Sequence, residues 1–154
     1  ILPQKLFCFT DIYPNIRGYQ GSNEFYGTPR QEVERIVSAG KIPVLEIDVH
    51  GKRQIKCSED QHGLESISIY ITAPAGVVYK RLLDRGEPTE NILSRLKTAL
   101  EEIDAADEYD YIIENCSLKM ALKNMQDVVA GNAFSLAYDT TKYKSELIEL
   151  IEHI

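Results

Sequence analysis

The chain has 154 residues, enough for one domain with its own core, and its 44% hydrophobic and 27% charged residues are ordinary for a globular protein. Its formal net charge of −7 argues against a general nucleic-acid binder, because neutralising a phosphate backbone needs clustered Lys and Arg. No apolar run approaches the ~20 residues that span a bilayer and no secretion signal opens the chain, so we expect a cytoplasmic protein without a membrane partner.

The first part of the chain alternates strand and helix patterns. Residues 5–10 are apolar and rich in aromatics, which predicts a buried strand, and residues 11–21 carry the Pro and Gly of a loop. Residues 28–40 predict a helix that begins with a Thr-Pro cap and ends at a glycine. Residues 42–49 predict a second buried strand. Residues 51–65 predict a turn or helix start that continues as irregular chain.

The middle of the chain continues the alternation. Residues 66–71 alternate apolar and polar side chains and predict a third strand. Residues 77–86 predict a helix that stops near a glycine. Thr89 is a candidate cap for the next helix, in which residues 92–103 form an apolar stripe.

The last part of the chain predicts one strand, at residues 111–113, and two helices. The helix at 118–129 is expected to bury a stripe of apolar side chains: Leu118, Leu122, Met125 and Val129. A final amphipathic helix includes residues 147–151. Strands that alternate with helices predict an α/β fold with a parallel sheet covered by helices.

Two acidic residues close the second predicted strand. Glu46 and Asp48 are two positions apart, so on a strand their side chains point to the same face. The carboxyl end of a parallel strand is where α/β sheets bind ligands. Residues 42–45 before them are apolar, as in a buried strand. Burying unpaired carboxylates is costly, so the interpretation of Glu46 and Asp48 as a merely solvated strand end is less favoured.

Three arginines follow the third strand. Arg81 and Arg85 are four residues apart and share a face on a helix, and Arg95 lies after the break at 86–88. Arginine suits phosphate because its planar guanidinium is always charged. The arginines could equally be surface charges paired with nearby carboxylates such as Glu87.

Four motifs in this order resemble the guanylate kinase family: residues 26–29 (Tyr-Gly-Thr-Pro), 45–51, 81–86 and 107–115. Their order and spacing agree with the family from about Phe25 to Ala130. The resemblance implies a P-loop NTPase-like parallel sheet with a helical lid at about 81–95 and an incomplete GMP-binding region. The whole chain, 1–154, would form one domain, in which 131–154 are a helical extension.

The resemblance implies transfer of a phosphoryl group from ATP to GMP with Mg²⁺. In the implied GMP site Tyr26 contacts the phosphate, whereas Thr28 and Asp48 help to read guanine. Glu46, at the end of a Walker-B-like strand, is also assigned to the GMP site and could hold Mg²⁺ through water, and no direct metal ligand is implied.

The implied catalytic residues are Arg81, Arg85 and Arg95, which would gather around the phosphates. Arg85 and Asn115 would also contribute to the ATP site, with Asn115 near adenine. The implied partners are therefore the nucleotides GMP and ATP, with no nucleic acid and no membrane. A homodimer is an open alternative.

The chain also departs from the family pattern. No GxxxxGK(S/T) loop follows the strand at 5–10, because the chain continues with Asp-Ile-Tyr at 11–13. The family's guanine-reading glutamate upstream of Tyr26 is missing, Arg17 falls near its place, and His50 stands where the family has glutamine. The chain is either a degenerate kinase-like protein or lacks residues of a longer one, and we expect the second.

Two other functions compete with a guanylate kinase. A non-catalytic guanylate kinase-like module that binds a peptide or protein would explain the missing phosphate loop, although it has no use for all three arginines. A kinase of another nucleoside monophosphate is the third alternative. Thr28 and Asp48 favour guanine, but the missing glutamate leaves the base open.

Overall fold

Four strands form the centre of the fold. A computed structural model describes residues 5–11, 30–62, 65–132 and 138–154, with the backbone alone at 5–11, 30 and 57–62. The strands are β1 (Lys5–Asp11), β2 (Val44–Glu46), β3 (Glu65–Thr72) and β4 (Tyr111–Glu114). They pair in the order β2-β1-β3-β4, and all three pairs are parallel. The predicted α/β fold with a parallel sheet is confirmed.

Helices connect and cover these strands. The described α-helices are α1 (Arg30–Ser38), α2 (Val49–His62), α3 (Ala75–Asp84), α4 (Thr89–Glu102), α5 (Leu118–Val129) and α6 (Thr140–His153). A 3₁₀ helix, Ile103–Glu108, follows α4 directly. In the part of the chain that the structure describes, no helix is both long and apolar enough to cross a bilayer.

The described residues form three apolar clusters: a larger and a smaller core on opposite faces of the sheet, and a third cluster around Val33 and Leu45. Tyr70 and Ile69 are neighbours on β3, so their side chains point to opposite faces. Tyr70 lies in the larger core, which α3, α4 and α6 cover, and Leu82 and Leu147 are fully buried there. Ile69 lies in the smaller core under α5. The larger core therefore joins the last helix to the centre of the sheet.

The buried face of α5 differs from the predicted one. Leu118, Leu122 and Val129 are 77%, 52% and 50% exposed, so the expectation that they are buried was wrong. Ala121 and Val128 face the sheet instead. The small side chain of Ala121 permits close approach to β4, and its i, i+7 spacing to Val128 makes a second apolar stripe that periodicity alone cannot distinguish from the first.

The helix α2 has 14 residues and includes residues 51–56, where a turn or helix start was expected, but it continues through residues 57–62, where the expected irregular chain was wrong. Val49 and Lys52 are buried and Ile55 is half-buried. Lys52 lies on the inward face of α2 between Val49 and Ile55. It interrupts the apolar stripe by which such helices are recognised, so the helical period is not apparent in the sequence.

The ends of two helices also differ from the sequence prediction. Thr89 is the first residue of α4, and Pro88 precedes it without a side-chain cap, so the predicted cap at Thr89 was wrong. The last helix begins at Thr140, earlier than the apolar pattern indicated. The Asp139 side chain caps it by accepting a hydrogen bond from the Lys142 N–H at 2.9 Å.

Candidate active site

The carboxyl ends of the four parallel strands meet at one edge of the sheet. β1 ends at Asp11, β2 at Glu46, β3 at Thr72 and β4 at Glu114. The chain adds β2 on one side of β1 and then adds β3 and β4 on the other side. The strand order therefore reverses between β1 and β3, and the crevice outside such a reversal is where open α/β sheets bind ligands.

Glu46 and Asp48 both lie at this edge, but they do not share a strand face. β2 ends at Glu46, and Asp48 is the N-cap of α2, where its Oδ1 accepts a hydrogen bond from the Gly51 N–H at 2.7 Å. The Lys52 N–H donates to the Asp48 carbonyl at 2.9 Å and closes the first helical turn. The predicted strand alternation was wrong because an aspartate favours a helix cap over a strand interior.

Gly51 makes the cap of α2 possible. A Cβ atom at this position would lie 3.0 Å from the Ile47 Cβ and 3.3 Å from the Asp48 Oδ1. Both contacts are tight, so a side chain at Gly51 would displace the cap. The exposed Asp48 carboxylate is thus held against the start of α2 by the local backbone.

Arg81 reaches the same edge from α3. Its Nη2 donates to the Asn115 carbonyl oxygen at 2.9 Å, directly after β4. The Asn115 N–H donates to the Thr72 carbonyl at 2.6 Å, so the end of β3 holds Asn115 in place. The structure thereby brings together Arg81 and Asn115, two residues that the resemblance assigns to the phosphates and to adenine.

The Asn115 side chain carries a buried acceptor. Its Oδ1 is inaccessible to solvent and has no hydrogen-bond partner among the described residues. Buried polar atoms in native proteins are almost always hydrogen-bonded, so an acceptor of this kind needs an explanation.

Arg95 contacts Glu87, and the charge of Arg85 acts on the same carboxylate. Arg95 is only 7% exposed, and its Nη2 lies 3.1 Å from the Glu87 Oε1. The hydrogen bond from Arg95 lowers the pKa of Glu87, and the charge of Arg85 lowers it further. Arg85 is the C-cap of α3, and Gly86, at φ +71°, turns the chain towards α4. The pairing of Arg95 with Glu87, considered from the sequence, is present in the structure.

The three arginines therefore have two sets of described partners. Arg81 bonds to the end of β4, whereas Arg85 and Arg95 act on Glu87. Asp84 pairs with Lys80, at 2.9 Å. Tyr26 and Thr28 lie outside the described residues, so their predicted roles stay predictions.

An anchor that the sequence did not reveal ties α2 to the residues before β4. The buried Lys52 Nζ donates to the Glu108 carbonyl at 2.5 Å and lies 4.8 Å from the centroid of the Tyr109 ring. Arg53 donates to the Glu108 carboxylate through two nitrogens, and this hydrogen bonding lowers the pKa of Glu108. The anchor fixes the first turns of the helix that Asp48 caps.

The acidic stretch before β4 is more structured than a solvated turn. Besides the contacts of Glu108, the Asp110 carboxylate accepts hydrogen bonds from the Ser68 N–H and from its Oγ, both at 2.7 Å. Tyr109 is buried in the larger core, where its ring lies 5.2 Å from that of Tyr70.

Glu102, at the end of α4, is a second residue that the sequence analysis missed. Its Oε2 is buried, and burial raises the pKa of this carboxyl to about 7, with a further contribution from the negative charge of Asp48. The spacing from Ala99 and Arg95, both buried, is i+3 and i+7. That spacing places Glu102 on the inner face of α4 and could have revealed it.

The fold and this edge define an α/β protein whose ligand edge carries carboxylates, arginines and a buried amide oxygen, an arrangement suited to a phosphorylated ligand. The family model described as guanylate kinase matches residues 17–132, which is most of the chain. The chain belongs to the guanylate kinase family.

Individual relatives agree with this assignment. The chain is 38% identical over 112 residues to the guanylate kinase of Trichormus variabilis, covering 71% of this chain and 54% of the relative. It is 36% identical over 109 residues to that of Bacillus cereus, covering 70% and 51%, and 29% identical over 132 residues to that of Buchnera aphidicola from Acyrthosiphon pisum, covering 84% and 62%. The chain thus spans only about half to three fifths of these relatives.

Among solved structures, the fold is similar to the crystal structure of guanylate kinase from Anaplasma phagocytophilum. The TM-score is 0.49 at 16% sequence identity, and the match covers 82% of this chain and 84% of the other. The family assignment does not depend on this likeness.

Proposed function

We propose that the protein transfers a phosphoryl group from ATP to GMP, as a guanylate kinase of purine nucleotide metabolism that acts in the cytoplasm. The observation that carries the proposal is that the family match, residues 17–132, includes every residue assigned to the site, from Tyr26 to Asn115. The carboxylates and arginines at the sheet edge support it, because phosphoryl transfer needs positioning and charge neutralisation more than covalent chemistry.

The proposed GMP site lies around the start of α2. Tyr26 would donate to the GMP phosphate, and Thr28 and Asp48 would bond to guanine. One oxygen of Asp48 accepts the Gly51 N–H. Its carboxylate is exposed, so its other oxygen can accept from an amino or ring N–H of the base.

The proposed transfer takes place among the arginines. A phosphate oxygen of GMP attacks the γ-phosphorus of ATP, the bond from that phosphorus to the β–γ bridging oxygen breaks, and ADP leaves. Arg81, Arg85 and Arg95 would neutralise the charge shared by the two phosphates. Arg95 would have to exchange its contact with Glu87 for phosphate oxygens, a change that closure of a lid at about 81–95 would supply.

The ATP base would lie at the end of β4. Asn115 follows β4 directly, and the resemblance to the family assigns it to the adenine pocket. Arg81 donates a hydrogen bond to the carbonyl of Asn115. A substitution of Arg81 would therefore affect binding of the base as well as of the phosphates.

The residues at the edge fit a magnesium ion carried by the nucleotide. The described residues contain no group of three or more acidic, His or Cys side chains placed to hold a metal. Mg²⁺ commonly keeps several waters and binds through one or two carboxylates and substrate phosphates. The exposed Glu46, at the end of β2, suits contact through water. When bound, Mg²⁺ would offset charge on the β- and γ-phosphates.

The test is to incubate the purified chain with ATP, Mg²⁺ and each of GMP, AMP, CMP and UMP, and to separate the products by anion-exchange chromatography. We expect equal amounts of ADP and GDP with GMP, and none when EDTA removes Mg²⁺. Binding of GMP without any GDP would favour the non-catalytic module. Faster turnover of another monophosphate would contradict the guanine preference.

A further inference from the structure

The turn between α3 and α4 fixes the backbone of Glu87. The Gly86 N–H donates to the Leu83 carbonyl at 2.9 Å, and the Glu87 N–H donates to the Leu82 carbonyl at 3.2 Å. These two hydrogen bonds, with Gly86 at φ +71°, form the Schellman motif that commonly ends an α-helix. Pro88 follows and restricts the backbone of Glu87 further. The end of α3 therefore sets the point from which the Glu87 side chain reaches towards α4.

Two side chains of α4 hold the Glu87 carboxylate, one at each oxygen. The Arg95 Nη2 donates to Oε1 at 3.1 Å, and the Asn91 Nδ2 donates to Oε2 at 3.4 Å. The side chains of Arg95 and Glu87 are only 7% and 18% exposed. Salt and solvent screen a partly buried pair much less than an exposed one. The carboxylate is therefore a well-held anion that covers the guanidinium of Arg95.

A phosphate group would offer Arg95 the same kind of partner as Glu87 does. Carboxylate and phosphate are both anions whose oxygens accept hydrogen bonds from the planar guanidinium. While Glu87 is in place, Arg95 is nearly inaccessible to solvent, so a phosphate can reach the guanidinium only after the carboxylate has moved aside. The free energy needed to separate Glu87 from Arg95 is then subtracted from the free energy of phosphate binding.

We propose that Glu87 is a positioning residue for Arg95: in the free protein its carboxylate occupies the place of a nucleotide phosphate, and it leaves when a phosphate binds. The inference rests on the proposed function only for the identity of the nucleotide, because any phosphate bound by Arg95 has to displace the same carboxylate. Glu87 weakens binding but does not act in the bound state. Its removal should therefore lower the dissociation constant and the KM of ATP and leave kcat unchanged.

The first measurement is the dissociation constant of ATP with Mg²⁺, by calorimetry, for the wild type, Glu87→Gln and the control Glu90→Gln. Both substitutions remove one negative charge from the same region. Glu90 is exposed in the first turn of α4, and no described hydrogen bond or ion pair joins it to Arg95. Glu87→Gln should bind ATP roughly five- to twentyfold more tightly than the wild type, and the control at most about twofold. Equal gains would show a general effect of charge and overturn the inference.

The second measurement repeats the titration with Arg95→Met and with Arg95→Met combined with Glu87→Gln. Without the arginine there is no guanidinium to release, so the gain from Glu87→Gln should disappear. A gain that persists would show that Glu87 acts on another group. Steady-state kinetics with GMP then distinguish competition from orientation. We expect Glu87→Gln to lower the KM of ATP, whereas a lower kcat without tighter binding would show that Glu87 orients Arg95 for transfer and would overturn the inference.

The outcomes separate the inference from the proposed function. Coupling between Glu87 and Arg95 in ATP binding without any GDP formation would contradict the proposed function and support the inference. GDP formation with equal ATP affinities for Glu87→Gln and Glu90→Gln would do the reverse. Absence of ATP binding by both the wild type and Glu87→Gln would overturn the inference, because a released arginine should bind phosphate. If Glu87→Gln does not fold, NMR of the wild type decides: ATP should shift the carboxyl carbon signal of Glu87 and not that of Glu90, and an unchanged Glu87 signal would overturn the inference.

Discussion

Arg81 reaches the sheet edge from α3, and its contact with the Asn115 carbonyl fixes where its charge lies. Arg81→Lys keeps the charge but loses the planar fork that can bond to the backbone and to a phosphate together. We expect kcat with GMP to fall about a hundredfold, as for the loss of one charge-stabilising donor. Steady-state kinetics would measure this.

Lys80→Met is the matched control for Arg81→Lys. Lys80 is on the same helix, and its side chain is 74% exposed and pairs only with Asp84 in the described contacts. Its loss should leave kcat unchanged. Activity of Arg81→Lys within threefold of the wild type would remove Arg81 from the proposed catalytic set.

Glu102 should make stability depend on pH in a defined direction. Its pKa in the folded protein, about 7, is above its ordinary value of 4.5, so folding favours the neutral form. The contribution is fully present below about pH 4.5 and is lost as the pH rises through about 7. Glu102→Gln cannot ionise and should therefore raise the melting temperature relative to the wild type at pH 8 but not at pH 5. Equal shifts at both pH values in thermal melts would contradict this sign.

The anchor of α2 can be tested by comparing two adjacent basic residues. Lys52 is buried and bonds to the Glu108 carbonyl, whereas the Arg53 side chain is 51% exposed and bonds to the Glu108 carboxylate. Lys52→Met leaves a carbonyl without its donor and should reduce the free energy of unfolding by about 1–3 kcal/mol. Arg53→Met removes an exposed ion pair and should cost at most about 1 kcal/mol. Urea unfolding would measure the free energy of unfolding of both variants. Equal losses would show that Lys52 does not stabilise α2 more than Arg53 does.

The secondary structure was predictable where one periodicity dominated. The strand at 66–71 and the helix at 92–103 had clear patterns, and the structure places β3 and α4 there. Only a possible start of α2 was predicted, because Lys52 occupies an inner position and interrupts the apolar stripe. The inner face of α5 was misassigned because two apolar stripes fit the same sequence, and only contact with the sheet selects Ala121 and Val128.

The candidate site was predictable where it depends on strand ends and not where it depends on distant pairs. A parallel sheet by itself places Glu46 and Asn115 at one edge. The contact of Lys52 with Glu108 joins residues 56 positions apart, and no local pattern indicates it. The N-cap at Asp48 depends only on neighbouring residues, but it was not predicted. The apolar run before Asp48 indicated a strand longer than the observed β2.

The C-terminal helix should contribute to the stability of the whole domain. Leu147 on α6 is fully buried in the larger core, whereas Leu118 on α5 is 77% exposed. Leu147→Ala should therefore reduce the free energy of unfolding by about 2–5 kcal/mol, and Leu118→Ala should change it little. Chemical denaturation of both variants would test this. Similar small effects would mean that residues 140–153 are dispensable for the fold.

The central position of β1 has a consequence for how the protein is made. β1 precedes the other described strands, yet it pairs with β2 and β3, which follow about forty and about sixty residues later. During synthesis both edges of β1 therefore stay unpaired until β2 and β3 have been made. The larger core is completed only after Leu147 has been synthesised. Assembly from contacts so far apart is slow. During that interval the nascent chain can associate wrongly with other chains. This is therefore the stage at which binding of a chaperone would protect the chain most.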